Sequence, residues 1–521
     1  MSDIGRSRRE FIKAGTAGVA AYALFRDAVV VSAAEDPFPE LVEATISDLQ
    51  AWMKSGKLTS RRLVEMYLER IKQIDPKTRA VLELNPDALA IADALDKERR
   101  IGKTRSMMHG IPILIKDNID TSDKMMTTAG SLALVGAPTP KQDAFVVRRL
   151  RKAGAVIIGK TNLSEWANFR GNRSISGWSG RGLQTNNPYF LDQNPCGSSS
   201  GSGVSVSANL AAAAVGTETN GSIICPANTN GIVGIKPTLG LISRSGIIPI
   251  AHTQDTAGPM ARTVSDAAIL LGAMVGRDKD DSINADADKR AQKDYTKFLD
   301  TGGVKGARLG IVMQFTTRPE FKAFYQPFLD KLRDGGATLV DVTFTPDYSK
   351  VGDDRLNVLL YEFKADLNKY LAARGAKYTS LADLIKFNDD NKEAELKLFD
   401  QELFVQSQAK GDLNDKAYID SLTKVKRAAR EDGVDAVMAK ENLDALVAPT
   451  GGATWAIAAT AGYPYITVPI GLRENTAVGM AFFGKAFSEP SLIKYAYAFE
   501  QMTKGRVTPK FIAQKPLPVA K

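Results

Sequence analysis

The stretch from Ser198 to Gly240 constrains the fold of this chain more than any other segment. It consists largely of Gly, Ser, Thr and small apolar residues, and it holds a single acid, Glu218, and a single base, Lys236. Small side chains let one backbone approach another closely and leave N–H groups free to point at a bound group. We therefore expect this stretch to pack tightly and to carry a binding or catalytic site.

Serine is the candidate nucleophile in such a stretch, and it needs a base. A serine hydroxyl attacks poorly unless another group takes its proton. The 521 residues include only two histidines, His109 and His252, so the usual proton acceptor is nearly absent. We expect a structural hydrogen bond for His109, and His252 has no partner signature. Another group must therefore take the proton.

Three segments resemble the signature of the amidase signature family. That family carries a lysine in Lys-Asp-Asn, then a Gly- and Ser-rich run, then Gly-Thr-Asp-x-Gly-Gly-Ser. Here the segments are Lys116–Asn118, Cys196–Gly201 and Gly216–Ser222, in the same order. Three segments in order are far more specific than any one of them. The amino-acid sequence around Trp166 and Trp178 is most similar to that of bacterial peptide amidases.

The resemblance implies a Ser-Ser-Lys mechanism. Ser222 would attack an amide carbonyl and form an acyl-enzyme, with release of ammonia or an amine. Ser198, at the family's interval before Ser222, would relay the proton to Lys116, and Ser199 and Ser200 are its competitors for that role. The lysine accepts a proton only when it is uncharged, so its pKa must fall well below about 10.4.

The resemblance also implies a particular backbone at the site. The peptide bond between Gly197 and Ser198 is cis in the family. The oxyanion hole would be formed by the backbone N–H groups of Thr219, Asn220, Gly221 and Ser222. Asn stands at position 220 where the family has glycine, but Asn tolerates left-handed backbone better than other non-glycine residues.

Two further departures bear on the substrate. Glu218 replaces an aspartate, and Ile224 stands where many relatives have an arginine. Without that cation near the attacked carbonyl, small free dicarboxylate monoamides become poor substrate candidates. We expect substrate contacts from Ser199, Trp178 and Tyr463. We expect neither a cofactor nor a metal, because the few Cys and His residues show no ligand spacing.

Cys196 and Cys225 flank the two serine segments. A bridge between them is conceivable in an oxidising compartment. Cysteine in a tightly packed segment is more often a buried small hydrophobe. We therefore expect two free thiols.

Nucleotide and nucleic-acid binding are not expected. Gly154–Thr161 matches the written P-loop pattern, but Ala155–Ile158 within it reads as a strand, which leaves no nest of N–H groups for phosphate. The formal net charge is 68 − 59 = +9, and the basic residues are scattered without aromatic interleaving.

Residues 1–34 are interpreted as a twin-arginine export signal. Ser7–Lys13 contains the arginine pair, the weakly apolar Ala14–Phe25 follows, and Ser32–Ala34 offers a cleavage point. The apolar segment is too short for a membrane anchor. We expect transient contact with the export machinery and a periplasmic or extracellular location. An ordinary amphipathic N-terminal helix is the alternative.

Short β-branched runs alternate with helical segments, which is the α/β signature. We expect residues 35–521 to form one domain of the amidase-signature fold, with a mixed, mostly parallel sheet between helices. A variable helical region at about 278–440 would pack beside the core. The expected strands are Ile111–Ile115, Ala155–Ile158, Ile232–Ile235, Arg308–Val312, Ala445–Val447 and Ile466–Val468. The expected helices are Ser47–Ser55, Ser60–Ile74, Ala144–Lys152, Val264–Met274, Pro319–Asp334, Leu356–Arg374 and Glu393–Gln408.

Three classes of function fit this sequence. The first is an exported amidase that acts on carboxamides, with peptide C-terminal amides among the candidates. The second is the ammonia-releasing component of a tRNA-dependent amidotransferase, which the export signal opposes. The third is a catalytically silent binding protein, which the retention of all three catalytic positions opposes.

Overall fold

The computed structural model describes residues 37–513, apart from residues 317 and 345–347 and the side chain of Ser349. The export signal expected at residues 1–34 therefore lies outside the described residues. The strands, numbered β1 to β13 in chain order, are Val81–Leu84, Pro112–Lys116, Val156–Thr161, Trp178–Ser179, Leu183–Gln184, Ala213–Glu218, Val233–Lys236, Thr256–Ala261, Arg308–Ile311, Thr338–Asp341, Ala445–Pro449, Tyr465–Arg473 and Thr476–Phe483.

Eleven of these strands form one mixed sheet, in the order β1-β3-β2-β6-β8-β7-β12-β13-β11-β9-β10. The remaining two, β4 and β5, form a separate antiparallel hairpin. The expected mixed sheet flanked by helices is thus confirmed. The α-helices are Ile46–Lys54, Ser60–Thr78, Ala88–Arg100, Phe145–Ala153, Ser200–Ser207, Ile224–Thr229, Val264–Met274, Ala287–Arg290, Pro319–Asp334, Gly352–Arg374, Leu381–Asp390, Lys392–Glu395, Glu402–Gln408, Lys416–Ala429, Asp435–Lys440, Gly452–Ala461 and Glu489–Thr503.

The prediction that the sheet is mostly parallel is wrong. Among the described strands of the large sheet, four neighbouring pairs are parallel and six are antiparallel. Strands β1, β8 and β13 were not expected, and they account for five of the six antiparallel pairs. Strand β8 is Thr-Ala-Gly-Pro-Met-Ala, and its Gly and Pro are residues that strands usually avoid.

Each of the six expected strands overlaps an observed one, and two expected helices, Val264–Met274 and Pro319–Asp334, have both ends where they were placed. The single helix expected at Glu393–Gln408 is wrong. Its place is taken by two short helices, Lys392–Glu395 and Glu402–Gln408, separated by residues 396–401. In the described part of the chain no helix is both long enough and apolar enough to cross a membrane.

The helical region after β8 packs against the core through aromatic side chains. Phe363, on the long helix Gly352–Arg374, meets Phe169 edge-on at a ring-centroid distance of 4.9 Å. Phe404 meets Trp166 edge-on at 5.8 Å. Such pairs contribute about 0.5–1.5 kcal/mol each beyond their area burial. They join this region to the 3-10 turn Glu165–Asn168 and to Phe169 directly after it, in the segment that follows β3.

A fully buried ionic cluster ties the same region to the core. Arg170 forms ion pairs with Glu165 and with Glu395, and its guanidinium lies 4.0 Å from the ring centre of Phe399. Glu395 also accepts the N–H of Leu132 at 2.8 Å. Burial and the neighbouring charge of Glu395 raise the pKa of Glu165 well above its usual range. One arginine therefore serves two carboxyl groups, one from the core and one from helix Lys392–Glu395.

We expect Arg170→Ala to lower the free energy of unfolding by about 3–5 kcal/mol, because it leaves two buried carboxyl groups without their cation. Urea denaturation followed by circular dichroism measures the change. Arg173 is exposed, and Arg173→Ala is the matched control, with an expected change within about 0.5 kcal/mol. Equal midpoints for the two variants would show that the cluster does not hold the region in place.

Candidate active site

The site lies where two neighbouring parallel strands end. Lys116 is the last residue of β2 and Glu218 is the last residue of β6, and the two strands pair in parallel. The carboxyl ends of parallel strands are the usual edge for functional loops in α/β sheets. The loop after β6 leads to Ser222, and Ser198 stands two residues before helix Ser200–Ser207.

Lys116 is fully buried and is held by hydroxyl and carbonyl groups. Its Nζ lies 2.8 Å from Ser198 Oγ, 2.9 Å from Thr217 Oγ1 and 3.4 Å from the carbonyl oxygen of Thr217. Asn118 Nδ2 donates to the same Thr217 hydroxyl at 3.0 Å. Within the described part of the chain, no carboxylate forms an ion pair with this amine.

Burial lowers the pKa of Lys116 to about 7, against the opposing charges of Asp255 and Glu218. An ammonium group removed from water loses its hydration, and neutral hydroxyls replace only part of it. A large fraction of the molecules therefore holds Lys116 as a free amine near neutral pH, which is the form that can accept a proton.

The segments that carry Ser198 and Ser222 contact each other through a backbone hydrogen bond. The Gly197–Ser198 peptide bond is cis, as the resemblance implies. The N–H of Ser199 donates to the carbonyl oxygen of Ser222 at 3.1 Å. Ser222 is 8% exposed, and its hydroxyl makes no hydrogen bond to another residue that the structure describes. Catalytic hydrogen bonds in unliganded enzymes often tighten only when substrate is bound.

The loop between Glu218 and Ser222 presents unused N–H groups. Those of Thr219, Asn220 and Ser222 donate no hydrogen bond to any residue in the described ranges. Gly221 has a φ of 86°, and a Cβ there would lie 2.6 Å from the Trp455 indole nitrogen. Glycine is thus required at this position by both conformation and space.

Two carboxyl groups, the buried Glu218 and the half-buried Asp255, support this loop through hydrogen bonds. Glu218 Oε2 accepts the N–H groups of Ile223 and Ile224 at 2.8 and 3.0 Å, and burial raises the pKa of Glu218 despite the charge of Lys236. Asp255 Oδ1 accepts the Thr219 hydroxyl at 2.5 Å. Burial raises the pKa of Asp255 to about 6.

Thr217 and Asp255 are site residues that the sequence reasoning missed. Thr217 lies in Gly216–Ser222 and Asp255 lies in Asp255–Arg262, a further segment that resembles the family, but neither residue was given a role. Thr217 binds the lysine amine directly, and Asp255 accepts a hydrogen bond from Thr219, which lies 36 residues earlier in the loop after β6. The only signal in the sequence was their place within matched motifs.

A cavity of about 440 Å³ opens beside this centre. Asn118, Thr217 and Thr219 line the cavity, and so do Ile248 and Ile250. The helix Gly352–Arg374 contributes another part of the lining through Asp366, Lys369, Tyr370 and Ala373. The volume lies within the range typical of small-molecule sites.

The three expected substrate contacts are outside the lining of this cavity. Ser199 Oγ exchanges hydrogen bonds with the backbone of Thr217, donating at 3.0 Å and accepting at 3.1 Å. Trp178 meets Phe399 edge-on at 5.3 Å, and the hydroxyl of Tyr463 donates to Asp435 at 2.9 Å. Their contact with substrate stays a prediction.

His252, for which the sequence offered no partner, belongs to a charged cluster on the cavity wall. Its Nδ1 lies 2.8 Å from Asp366 Oδ2 and its Nε2 lies 3.7 Å from Glu362 Oε1. Burial alone would lower the pKa of His252, but these two carboxylates outweigh it and raise the pKa.

The spacing of this cluster could accommodate a metal ion. Glu362, however, already accepts hydrogen bonds from Thr253 and Tyr418, and Asp366 accepts two from His252. The arrangement is therefore that of a satisfied ion cluster. His109 makes the structural hydrogen bond that was expected, between Nε2 and the carbonyl oxygen of Leu95 at 3.0 Å.

The expectation of free thiols is wrong, because Cys196 and Cys225 form a disulfide. Their Cα atoms are 5.9 Å apart, which lies within the usual range for a bridge. The sequence separation of 29 gave no sign of this closeness. Only the packing of the two serine segments against each other brings the cysteines together.

The P-loop-like segment is a strand, as argued from the sequence. Val156–Thr161 forms β3, between β1 and β2. Lys160 is fully buried, and its Nζ donates to the carbonyl oxygen of Ile119 at 2.7 Å and to Thr127 Oγ1 at 2.9 Å. These contacts occupy the lysine within the protein.

Known proteins resemble this chain over most of its length. The family model described as Amidase matches residues 62–457. The native peptide amidase of Stenotrophomonas maltophilia is 50% identical, with a TM-score of 0.87, over 91% of this chain and 99% of that chain. A peptide amidase in complex with the competitive inhibitor chymostatin gives the same values.

A third relative carries a different name. A glutamyl-tRNA(Gln) amidotransferase subunit from Acinetobacter baumannii is 33% identical over 503 residues, which cover 91% of this chain and 99% of that protein. Both the sequence match and the fold extend over nearly the whole length of these relatives. The chain belongs to the amidase signature family and is a hydrolase that acts on amides.

Proposed function

We propose that this protein is an exported amidase that cleaves carboxamide C–N bonds through Ser222, Ser198 and Lys116, with C-terminally amidated peptides as its substrate class. The observation that carries the proposal is the fully buried Lys116 amine, 2.8 Å from Ser198 Oγ and without a carboxylate partner among the described residues. An uncharged amine in that place can draw a proton from Ser222 through Ser198.

The reaction divides into two halves. Ser222 Oγ attacks the amide carbon while its proton passes to Ser198 and the Ser198 proton passes to Lys116. The carbonyl oxygen gains negative charge, which the N–H groups of the loop from Thr219 to Ser222 would stabilise. The tetrahedral intermediate then collapses, and ammonia leaves with the proton returned by the same route. Water attacks the Ser222 ester in the second half and restores the enzyme.

The choice of amidated peptides rests on the relatives and on the cavity. Peptide amidases are 50% identical to this chain over 91% of its length. The cavity beside Thr219 has about 440 Å³ for the acyl part of a substrate, and its lining includes both apolar and charged groups. Ile224 leaves no fixed cation two residues after the nucleophile, which disfavours small free dicarboxylate monoamides.

The amidotransferase component is the second candidate, and 33% identity over 91% of the chain is the observation in its favour. A protein of that kind works with partner proteins, whereas an amidase releases ammonia alone. A catalytically silent homologue would release none. Ammonia release by the purified chain therefore separates the three candidates.

We expect the purified protein to release ammonia from an amidated dipeptide faster than from a matched free aliphatic amide. Ser222→Ala should reduce kcat by about 10⁴-fold or more, because the nucleophile is removed. Lys116→Ala should have a comparable effect. Coupled detection of ammonia together with mass spectrometry of the deamidated product measures both.

Ser205→Ala is the matched control for these variants. Ser205 is a buried serine on helix Ser200–Ser207, and its hydroxyl donates to the carbonyl oxygen of Ser202 at 3.1 Å, away from the reacting groups. It should retain nearly full activity. Undiminished turnover by Ser222→Ala would exclude the proposed nucleophile, and equal rates on the two amides would exclude the peptide preference.

The pKa of Lys116, about 7, sets the acid limb of the pH profile. The reactive form is the neutral amine, so kcat/KM should fall about tenfold per pH unit below 7 and level off above it. Asp255→Asn removes a negative charge that raises the pKa of Lys116, so the acid limb should move to lower pH. A limb that stays in place in this variant, whatever the height of the plateau, would contradict the assignment.

Export by the twin-arginine route is the remaining part of the proposal, and it rests on the sequence of residues 1–34. Cell fractionation should find the activity in the periplasm or the medium. Changing both Arg8→Lys and Arg9→Lys should retain it in the cytoplasm, because the route reads the arginine pair. Arg6→Lys is the matched control outside the pair. Cytoplasmic activity with both arginines intact would refute export.

A further inference from the structure

The disulfide joins the two chain segments that carry the proposed reacting serines. Cys196 precedes Ser198 by two residues, and Cys225 follows Ser222 by three. The bridge therefore joins the two segments covalently, within three residues of each hydroxyl between which a proton would pass. It is the only covalent link between these segments in the described part of the chain other than the main chain itself.

Each half of the bridge is fastened to its own serine segment. The N–H of Cys225 donates to the carbonyl oxygen of Gly221 at 2.7 Å, and the Ser200 hydroxyl donates to the carbonyl oxygen of Cys196 at 2.6 Å. A movement of either cysteine would therefore carry the adjacent serine with it.

Besides the two hydrogen bonds between Ser199 Oγ and the backbone of Thr217, two further hydrogen bonds hold the segments together. One runs from the Ser199 N–H to the Ser222 carbonyl oxygen at 3.1 Å. Another runs from Asn230 Nδ2 to the Pro195 carbonyl oxygen at 2.8 Å. Both are single neutral bonds, and each is worth about 0.5–1.5 kcal/mol in general.

We propose that the Cys196–Cys225 disulfide is a positioning element for the amidase reaction, so that turnover depends on the bridge being oxidised. The inference rests on the proposed roles of Ser222 and Ser198. The bridge limits how far the two serine segments can move apart, and it therefore limits the separation that their hydroxyls can reach when substrate is bound. A displacement of about 1 Å at reacting groups can lower a rate by about 100-fold.

The bridge is within reach of a reductant, because both cysteines are partly exposed. A small dithiol such as dithiothreitol supplies two electrons and two protons. The S–S bond breaks, Cys196 and Cys225 each end as a thiol, and the dithiol becomes a cyclic disulfide. Disulfides persist in oxidising compartments and are reduced in the cytoplasm, so the bridge would favour activity after export.

The test uses the purified chain and ammonia release from an amidated dipeptide. Treatment with dithiothreitol should lower kcat by about tenfold to 100-fold, with KM changed less than about twofold, because the bridge does not line the described cavity. Mass spectrometry after alkylation should count two thiols. Near-ultraviolet circular dichroism should remain native, and reoxidation should restore kcat.

The variant carrying both Cys196→Ser and Cys225→Ser is the control for the reductant. It should have the lowered kcat from the start and should not respond to dithiothreitol. Full turnover by folded wild-type enzyme with two alkylated cysteines would overturn the inference. Unfolding on reduction would also overturn it, because the bridge would then serve stability alone. No turnover by the oxidised wild type would instead overturn the proposed function.

Discussion

The rest of the site depends on one constraint, which is the removal of the Lys116 amine from water. A lysine at the end of a central strand, surrounded by neighbouring strands and covered by the serine loops, has no water to hydrate its charge. Its contacts are hydroxyls and a carbonyl, which suit a neutral amine as well as a charged one. The acidic residues Asp255 and Glu218 act on it through space and keep its pKa from falling further. The pKa of Lys116 is therefore set by burial, which lowers it, and by the charges of Asp255 and Glu218, which raise it.

The small residues of the stretch Ser198–Gly240 make that burial possible. Helix Ser200–Ser207 has every residue buried, and β6 beside it is formed of Ala, Val, Gly, Thr and Glu. Larger side chains would hold the helix away from the sheet and admit water to the lysine. The same closeness brings Ser199 into hydrogen-bond contact with the backbone of Thr217 on one side and Ser222 on the other. The small residues thus allow the close packing, and the close packing keeps water away from the lysine.

Much of the fold could be predicted from the sequence, because local patterns determine helices and β-branched strands well. Helix Val264–Met274 was found with both ends, since Thr263 caps it and most of its residues are apolar. Strand β6 was missed, because Ala and Gly have little intrinsic preference for strands and only the neighbouring strands hold it extended. The break within Glu393–Gln408 was missed for a similar reason: residues 396–401 turn so that Arg170 can bind the carbonyl oxygen of Phe399.

The contacts at the site that escaped prediction all join residues far apart in the chain. His252 contacts Asp366 at a sequence separation of 114 residues, and Thr219 binds Asp255 at a separation of 36. Cys196 and Cys225, which form the disulfide, are 29 residues apart in the sequence. No local sequence pattern predicts such pairs. For the two cysteines, the general preference of cysteine for buried sites favoured free thiols instead of a disulfide. The three segments that resemble the amidase signature gave the lysine and the two serines, since those residues lie inside contiguous motifs.

The long helix Gly352–Arg374 supplies Asp366, Lys369, Tyr370 and Ala373 to the cavity, whereas Lys116, Ser198 and Ser222 come from a separate and earlier part of the chain. Mutations in the helix can reshape the cavity that we propose as the acyl site, while the three proposed reacting groups keep their places. Because the two sets of residues lie in different parts of the chain, natural selection or a protein engineer can change the substrate range through the helix without changing the proposed reacting groups. The buried Arg170 cluster limits that freedom, since it is one of the contacts that join the helical region to the core.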